Sequence, residues 1–342
     1  MKRKDDYTVA VLGATGAVGR AMLSTLERRS FPVGELRLLA SPKSAGQTLE
    51  FRGQKIPVKA VEESDFEGVD VALFSAGASA SQVYAPLAAA RGCVVVDNSS
   101  AFRMDPQVPL VVPEVNPEAL AEHKGIIANP NCSTIQLVVA LKPLTEFGIE
   151  HVSVATYQAV SGMGQKAINA LQNEIAKQGE DTTLFPVADS EVHYSMAFNV
   201  LPQCDVFLDN GYTKEEMKLV LESQKILGQP KLRVSPTAVR VPVVYGHSEV
   251  VSVRFGQTVT AQQVRSRLQG APGVVVVDDP KRALYPHPKM AEGTGDTYVG
   301  RIRPDLTDSQ TVCMFVVADN LLKGAAWNAV QIAELLVGQA GD

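Results

Sequence analysis

Along the first third of the chain, short apolar runs recur at regular intervals with stretches of helical period between them. Thr8–Leu12, Leu36–Ala40, Val69–Phe74, Cys93–Val96 and Gly125–Ala128 are rich in aliphatic and β-branched residues and read as strands. After the first of them, Val18 to Arg29 carries Val18, Met22, Leu23 and Leu26 on one face and charges on the other, which predicts a helix that packs on a sheet. Strands alternating with helices imply a parallel, doubly wound α/β sheet.

Near Asn131 the rhythm changes. Ile135–Leu144 is helical in pattern, and the strands that follow are longer and more widely spaced: His151–Ala159, Val239–Val244, Glu249–Phe255, Val274–Val277, Tyr298–Arg303 and Thr311–Val317. Val251, Val253 and Phe255 alternate with Ser252 and Arg254, as in a sheet with one exposed face. The pattern predicts a second, α+β domain over 131–320, after a first domain over 1–130. A last helical stretch, Leu321–Val337, is expected to bring 321–342 back onto the first domain. No internal repeat is visible.

Composition narrows the class without naming a chemistry. A chain of 342 residues, with 45% hydrophobic and 20% charged residues, folds as a globular protein and is long enough for two domains. Its net charge of −5 gives no broad footprint for nucleic acid or an anionic membrane. No apolar run approaches the roughly 20 residues that cross a bilayer. Met1–Asp6 is charged and Val9–Gly19 is broken by glycines, a poor secretory signal. A cytoplasmic protein is expected. The four cysteines are far apart and lack paired metal spacing, so free thiols and no metal site are expected.

The chemistry begins at Gly13-Ala14-Thr15-Gly16-Ala17-Val18-Gly19, a glycine turn between the first strand and the first helix. Glycines there let helix-start N–H groups approach a pyrophosphate, although the same residues also make plain turns. An NAD site offers an acidic residue to the ribose about 20 residues later. Here the second strand runs into Ser41-Pro42-Lys43-Ser44, hydroxyls and a lysine that suit a 2′-phosphate and favour NADP. Cys132 lies in Asn129-Pro130-Asn131-Cys132-Ser133-Thr134, between a strand and a helix. The positive end of a helix favours a thiolate and its N–H groups can hold an oxyanion, which suits a nucleophile as well as a structural thiol. Cys93 and Cys313 sit inside apolar strand patterns and Cys204 in an undistinguished loop, so these three are expected to be structural. Of five histidines, His247 follows a strand that ends at Gly246, where a side chain can reach a cleft or remain structural.

Taken together these stretches resemble aspartate-semialdehyde dehydrogenases, in order and along nearly the whole chain. The resemblance is carried by Gly13–Gly19, Asn98-Ser99-Ser100-Ala101-Phe102-Arg103, Val112-Pro113-Glu114-Val115-Asn116, Asn129–Thr134, Thr156-Tyr157-Gln158-Ala159-Val160-Ser161-Gly162, Glu215–Lys218, Arg240–His247 and Asp319–Ala326. It implies a Rossmann-type NADP-binding domain and a C-terminal catalytic and dimerisation domain like that of glyceraldehyde-phosphate dehydrogenase, in a homodimer. It implies reductive dephosphorylation of aspartyl 4-phosphate to aspartate semialdehyde with NADPH, feeding lysine, threonine and methionine synthesis. By the same resemblance Cys132 is the nucleophile, His247 the acid/base and Gln158 the group that orients the intermediate. Arg240 pairs with the substrate carboxylate and Glu215 with its ammonium, Arg103 and Lys218 hold phosphate, and Asn131 also meets the substrate. Gly13, Thr15, Gly16, Ala17, Val18, Gly19, Ser41, Lys43, Ser44, Ser161, Gly162 and Asn320 face the cofactor. N-acetyl-glutamyl-phosphate reductase shares the chemistry and architecture, but an acylated amine has no charge for Glu215 to meet. A non-catalytic NADPH-binding regulator would keep Gly13–Gly19 with no use for Cys132, Gln158 and His247 together.

Overall fold

The computed structural model describes residues 3–177 and 184–338. The first two residues of the charged start and positions 339–342 of the C-terminal stretch lie outside the described residues. The chain forms two compact units, Met1–Asn131 with Ala325–Asp342, and Cys132–Gly324.

The first unit runs β1 (Tyr7–Leu12), α1 (Ala17–Arg28), β2 (Val33–Ala40), β3 (Thr48–Phe51), β4 (Gln54–Ala60), β5 (Val71–Phe74), α2 (Ala78–Ala90), β6 (Val94–Asp97) and β7 (Ile126–Ala128). Its seven strands lie in the order β3-β4-β2-β1-β5-β6-β7, parallel except for the antiparallel β3–β4 pair. The parallel, doubly wound expectation therefore holds. Alternate residues of β1 serve the two faces: Val9 and Val11 join a core with Met22 and Leu26 of α1, while Ala10 and Leu12 join one with Ala85 and Ala88 of α2. The β3–β4 hairpin is absent from the sequence reading. Its turn is Arg52-Gly53, both at positive φ, +50° and +74°. That backbone suits a two-residue hairpin turn, but Arg-Gly is not among its usual residue signals.

The second unit runs α3 (Cys132–Leu141), β8 (Ile149–Gln158), α4 (Gln165–Ala176), α5 (Lys214–Ile226), β9 (Arg233–Arg240), β10 (His247–Phe255), α6 (Ala261–Leu268), β11 (Val274–Val276), α7 (Pro288–Ala291), β12 (Thr297–Pro304) and β13 (Thr311–Ala318). A mixed six-stranded sheet, ordered β11-β12-β13-β10-β8-β9, carries a core of Val152, Val154, Val251, Val253, Phe255 and Met314 with Leu137 and Leu141 of α3. This is the expected α+β arrangement.

One strand is corrected. The sequence predicts Val239–Val244, whereas β9 spans Arg233–Arg240 and 241–246 is a connection. The parallel pairing with β8 ends at Gln158 opposite Arg240, and Pro242 has no N–H to extend a ladder. His247 therefore opens a strand, after the turn at Gly246, instead of following one. At the C-terminus the expected single helix is divided. Leu322–Ala326 is a π-helical turn, and α8 (Trp327–Val337) follows and packs on α1, β5 and β6.

Candidate active site

In the first unit the ends of β1 and β5 lie beside each other, at the point where strand order reverses and α/β sheets hold ligands. Gly13 has φ +85°, and a Cβ there would stand 2.7 Å from the Ser75 carbonyl carbon. A Cβ on Gly19 would overlap the Gly13 carbonyl oxygen. Only glycine fits either position. Gly16 is the N-cap of α1, no side chain caps the helix, and its first turn carries no acidic residue. The first-turn N–H groups of a helix have no intrahelical partner, so those of Ala17, Val18 and Gly19 are of the kind that suits an anion. At the end of β2, Ser41 and Lys43 are exposed, Ser44 is half-buried, and the Ser44 N–H donates to the Ser41 carbonyl at 2.9 Å. Arg103 is buried in this unit, donating from Nε to the Asn129 carbonyl at 3.0 Å and from Nη2 to the Asn98 carbonyl at 2.8 Å.

In the second unit the register of the sheet assembles the chemistry. Gln158 at the end of β8 pairs with Arg240 at the end of β9, and His247 opens β10 beside them, its Nδ1 accepting the Ala159 N–H at 3.0 Å. The three side chains come from distant stretches of chain and share one face. Gln158 Nε2 lies 2.9 Å from Ser133 Oγ, 3.1 Å from Glu215 Oε1 and 3.3 Å from Thr156 Oγ1. One amide has two hydrogens for these three acceptors, and the bond to Ser133 ties it to the residue after Cys132.

Cys132 is the first residue of α3 and is half-buried. A Cβ on Gly324 would stand 2.8 Å from the Cys132 Cβ, so glycine at 324 leaves the Cys132 side chain its room. Cys93 and Cys204 are different: burial pushes each thiol up to about 12, and both are buried like Cys313. Cys204 nonetheless feels the charges of Arg240 and Glu215 and the thiol of Cys132, so its loop lies at the site.

His247 is fully buried, and burial together with the Arg240 charge lowers its pKa to about 3 against the pull of Glu215. The ring is neutral. Because Nδ1 accepts from the backbone, its proton sits on Nε2. Nε2 and Arg240 Nη1 converge: a Cβ on Gly162 would be 3.4 Å from each. Arg240 donates from Nη1 to the Ala159 carbonyl at 2.9 Å, while its Nε is buried with no hydrogen-bond partner among the described residues. Lys218 Nζ lies 2.9 Å from Asp205 and 3.0 Å from Glu215. Burial opposes its charge, but these carboxylates outweigh it and raise its pKa.

The expected residues of the second unit thus fall into two groups. Cys132, Gln158, Glu215, Lys218, Arg240 and His247 are linked through hydrogen bonds and shared surroundings. Ser161 and Asn320 bond each other, Asn320 Nδ2 donating to Ser161 Oγ at 2.9 Å, and the Asn320 side-chain Oδ1 accepts the Gly246 N–H at 2.9 Å. Asn320 therefore fixes the turn that presents His247. Asn131, the last residue of the first unit, is buried. Sequence reasoning missed Ser133, Thr156 and Asp205. Thr156 was legible as the residue two before Gln158 on the same face, whereas Asp205 lies in a loop with no local signal. Among the described residues no cluster suits a metal ion, and no helix is long and apolar enough to cross a membrane.

Comparison with known proteins adds the following. The family described as semialdehyde dehydrogenase, NAD binding domain, matches residues 8–123, and that described as semialdehyde dehydrogenase, dimerisation domain, matches 141–323. The aspartate-semialdehyde dehydrogenase of Aquifex aeolicus is 54% identical over 335 residues, covering 97% of this chain and 98% of that one. That of Bacillus subtilis is 52% identical, covering 96% of each. Among solved structures, aspartate semialdehyde dehydrogenase II of Vibrio cholerae complexed with ASA superposes with a TM-score of 0.92 at 49% identity, covering 98% of this chain and 99% of that one. The enzyme of Candida albicans with NADP gives a TM-score of 0.73 at 27% identity, covering 98% and 99%.

Proposed function

The chain belongs to the aspartate-semialdehyde dehydrogenase family, and from that premise we propose how its residues divide the work. The protein is an oxidoreductase of amino-acid biosynthesis that converts L-aspartyl 4-phosphate to L-aspartate 4-semialdehyde through a cysteine thioester, using a nicotinamide cofactor. The observation that carries the assignment of residues is the sheet row holding His247, Gln158 and Arg240 beside the helix that starts with Cys132.

The Cys132 thiolate attacks the acyl-phosphate carbonyl, phosphate leaves, and a thioester forms. The nicotinamide, when bound, supplies the hydride that this thioester accepts. The thiohemiacetal then collapses to aldehyde and thiol, and the proton that His247 offers to it is on Nε2. Gln158 orients the intermediate from its amide, itself held by Ser133, Thr156 and Glu215. The Arg240 Nε, which has no acceptor among the described residues, suits the substrate carboxylate, and Glu215 suits its ammonium. Lys218 and Arg103 are the phosphate-binding cations and Asn131 a further substrate contact.

The cofactor is read as NADP. The glycine turn of the first unit fits a pyrophosphate at the start of α1, with Gly13, Thr15, Gly16, Ala17, Val18 and Gly19 as its contacts. Ser41, Lys43 and Ser44 would hold the 2′-phosphate, and Ser161, Gly162 and Asn320 are assigned to the cofactor in the second unit. Replacing Ser41 with Asp puts like charge beside that phosphate and is expected to raise KM for NADP by about tenfold, with less effect on NAD. Steady-state rates with the two cofactors check this, and equal responses would remove the turn as the discriminating site.

A homodimer in the cytoplasm completes the reading. It is supported by the match to a dimerisation domain, by exposed Tyr157, Phe198 and Phe207 on the second unit, and by four free thiols. Phosphate-dependent oxidation of aspartate semialdehyde, followed as NADPH formation, tests the function directly. No reduction of NADP in the presence of both aldehyde and phosphate would reject it.

A further inference from the structure

Below the row that holds His247, the inner face of the second sheet turns apolar one step later than its pattern requires. Two rows down lie Met314, Val251, Val154 and Pro236, all buried and in register across four strands. The row between them runs Val299, Val316, Glu249, Thr156 and Ala238. The alternation that buries Val251, Val253 and Phe255 asks for an aliphatic side chain at 249 as well. The chain instead puts a carboxyl there, with no exposure to solvent.

Neither Glu249 oxygen has a hydrogen-bond partner among the described residues, and neither do Oε1 and Nε2 of Gln136. Gln136 is buried on α3, four residues after Cys132 and so one turn along the same helix face. α3 packs on β10. Burial pushes the Glu249 carboxyl well above the usual carboxylate range, with the Gln136 amide drawing it the other way. Burial thus favours the acid over the anion. In that form the four orphaned atoms complement one another: the acid O–H donates to the amide oxygen, and the amide N–H donates to the acid carbonyl. An ionised carboxylate would have no proton for the amide oxygen.

We propose that Glu249 and Gln136 act as a neutral acid–amide pair that fixes the helix bearing Cys132 against the strand bearing His247, and so sets the separation of thiol and imidazole. Glu249 is a positioning residue. It touches no reacting atom, and its effect reaches the chemistry through His247, two residues along its strand, and through Cys132, one turn from Gln136. The inference rests on the reading of Cys132 and His247 as the reacting pair.

The test uses Glu249→Gln, Glu249→Met and Gln136→Met in the full-length protein. Glu249→Gln replaces the acid with an amide, and two amides also close a pair of hydrogen bonds. Each methionine variant keeps volume and orphans the partner. Misplacement of catalytic groups by an ångström is worth up to about 100-fold, so each methionine variant is expected to lower kcat by about tenfold or more with KM for aldehyde and cofactor nearly unchanged. The midpoint pH for alkylation of Cys132 by iodoacetamide should rise with it, because a displaced imidazole stabilises the thiolate less. Glu249→Gln should bring both readouts close to wild type.

A pH series tests neutrality. Val316 from β13, Thr156 from β8 and Gln136 from α3 face Glu249, and His247 on its own strand is neutral, so none of these carries a charge. The unfolded acid ionises above its ordinary value of about 4.5, while burial holds the folded acid protonated to higher pH. Wild type therefore loses stability relative to Glu249→Gln as pH rises from 5 to 8, and the Tm gap between them widens.

Methionine variants with wild-type kcat and an unmoved alkylation midpoint, altered only in Tm, would overturn the proposal. So would Glu249→Gln as impaired as Glu249→Met, since the pair would then act through charge. If Glu249→Met does not fold, Gln136→Met and Glu249→Gln carry the same contrast. Wild type inactive on aspartate semialdehyde would reject the functional reading instead, while the alkylation midpoint would still judge the pair.

Discussion

With Cys132 replaced by alanine, oxidation of aspartate semialdehyde falls by about 10⁴-fold or more, while NADP binding is unchanged. The size of the loss follows from what the thiol does. Without it no thioester forms, and hydride transfer has no acyl acceptor that the cofactor can reduce. Cys132→Ala removes a half-buried sulfur at the first residue of α3 and leaves the glycine turn of the first unit intact. Titration of cofactor fluorescence separates binding from turnover in the same sample. Iodoacetamide gives an independent check, because Cys93 and Cys204 have thiols pushed up to about 12 and Cys313 is buried, so labelling near neutrality should reach Cys132 first. Turnover surviving in the alanine variant, or four thiols labelled at one rate, would remove the covalent mechanism.

What the chain revealed before its fold depended on whether the signal was local. The glycine turn was legible because its requirement is local: a strand, a tight bend and a helix start. Cys132 stood apart from Cys93 and Cys313 for the same reason, as a thiol between a strand and a helix instead of inside an apolar run. The β3–β4 hairpin escaped because Arg52-Gly53 carries a positive-φ turn without the usual residues, and because Pro57 falls inside β4 where a strand is not expected. The row of His247, Gln158 and Arg240 is not local at all. It exists because β9 runs parallel and β10 antiparallel to β8, and because β9 stops at Arg240 instead of continuing to Val244. Only the family resemblance joined these three residues before the register was known. Glu249 shows the opposite failure: a glutamate at the head of an apolar alternation looks like a strand boundary until the strand is seen to begin at His247.

Replacing Arg240 with leucine is expected to lower kcat/KM for aspartate semialdehyde by about 30-fold to several-thousand-fold, the cost of roughly 2–5 kcal/mol for truncating one partner of a desolvated charge pair. Arg240 is buried, holds the Ala159 carbonyl with Nη1 and keeps Nε without an acceptor among the described residues. A substrate carboxylate that reaches this edge meets a guanidinium already oriented by the backbone, so little is lost in ordering it. Arg240→Lys retains the charge but not the planar fork and should restore only part of the activity. Glu215→Gln removes the other half of the clasp. Its amide oxygen can still accept from Lys218 or Gln158, so the shape of the site survives while the attraction for the substrate ammonium is lost. The expected result is a fall in kcat/KM with cofactor binding nearly unchanged. Both substitutions gain their meaning from a second substrate. N-acetyl-glutamate semialdehyde has a carboxylate but no ammonium, so the wild-type enzyme should prefer aspartate semialdehyde, and Glu215→Gln should narrow that preference. A wild type that favours the acetylated aldehyde and ignores Glu215→Gln would overturn the pairing of Glu215 with an ammonium, and the thioester chemistry at Cys132 would stand without it.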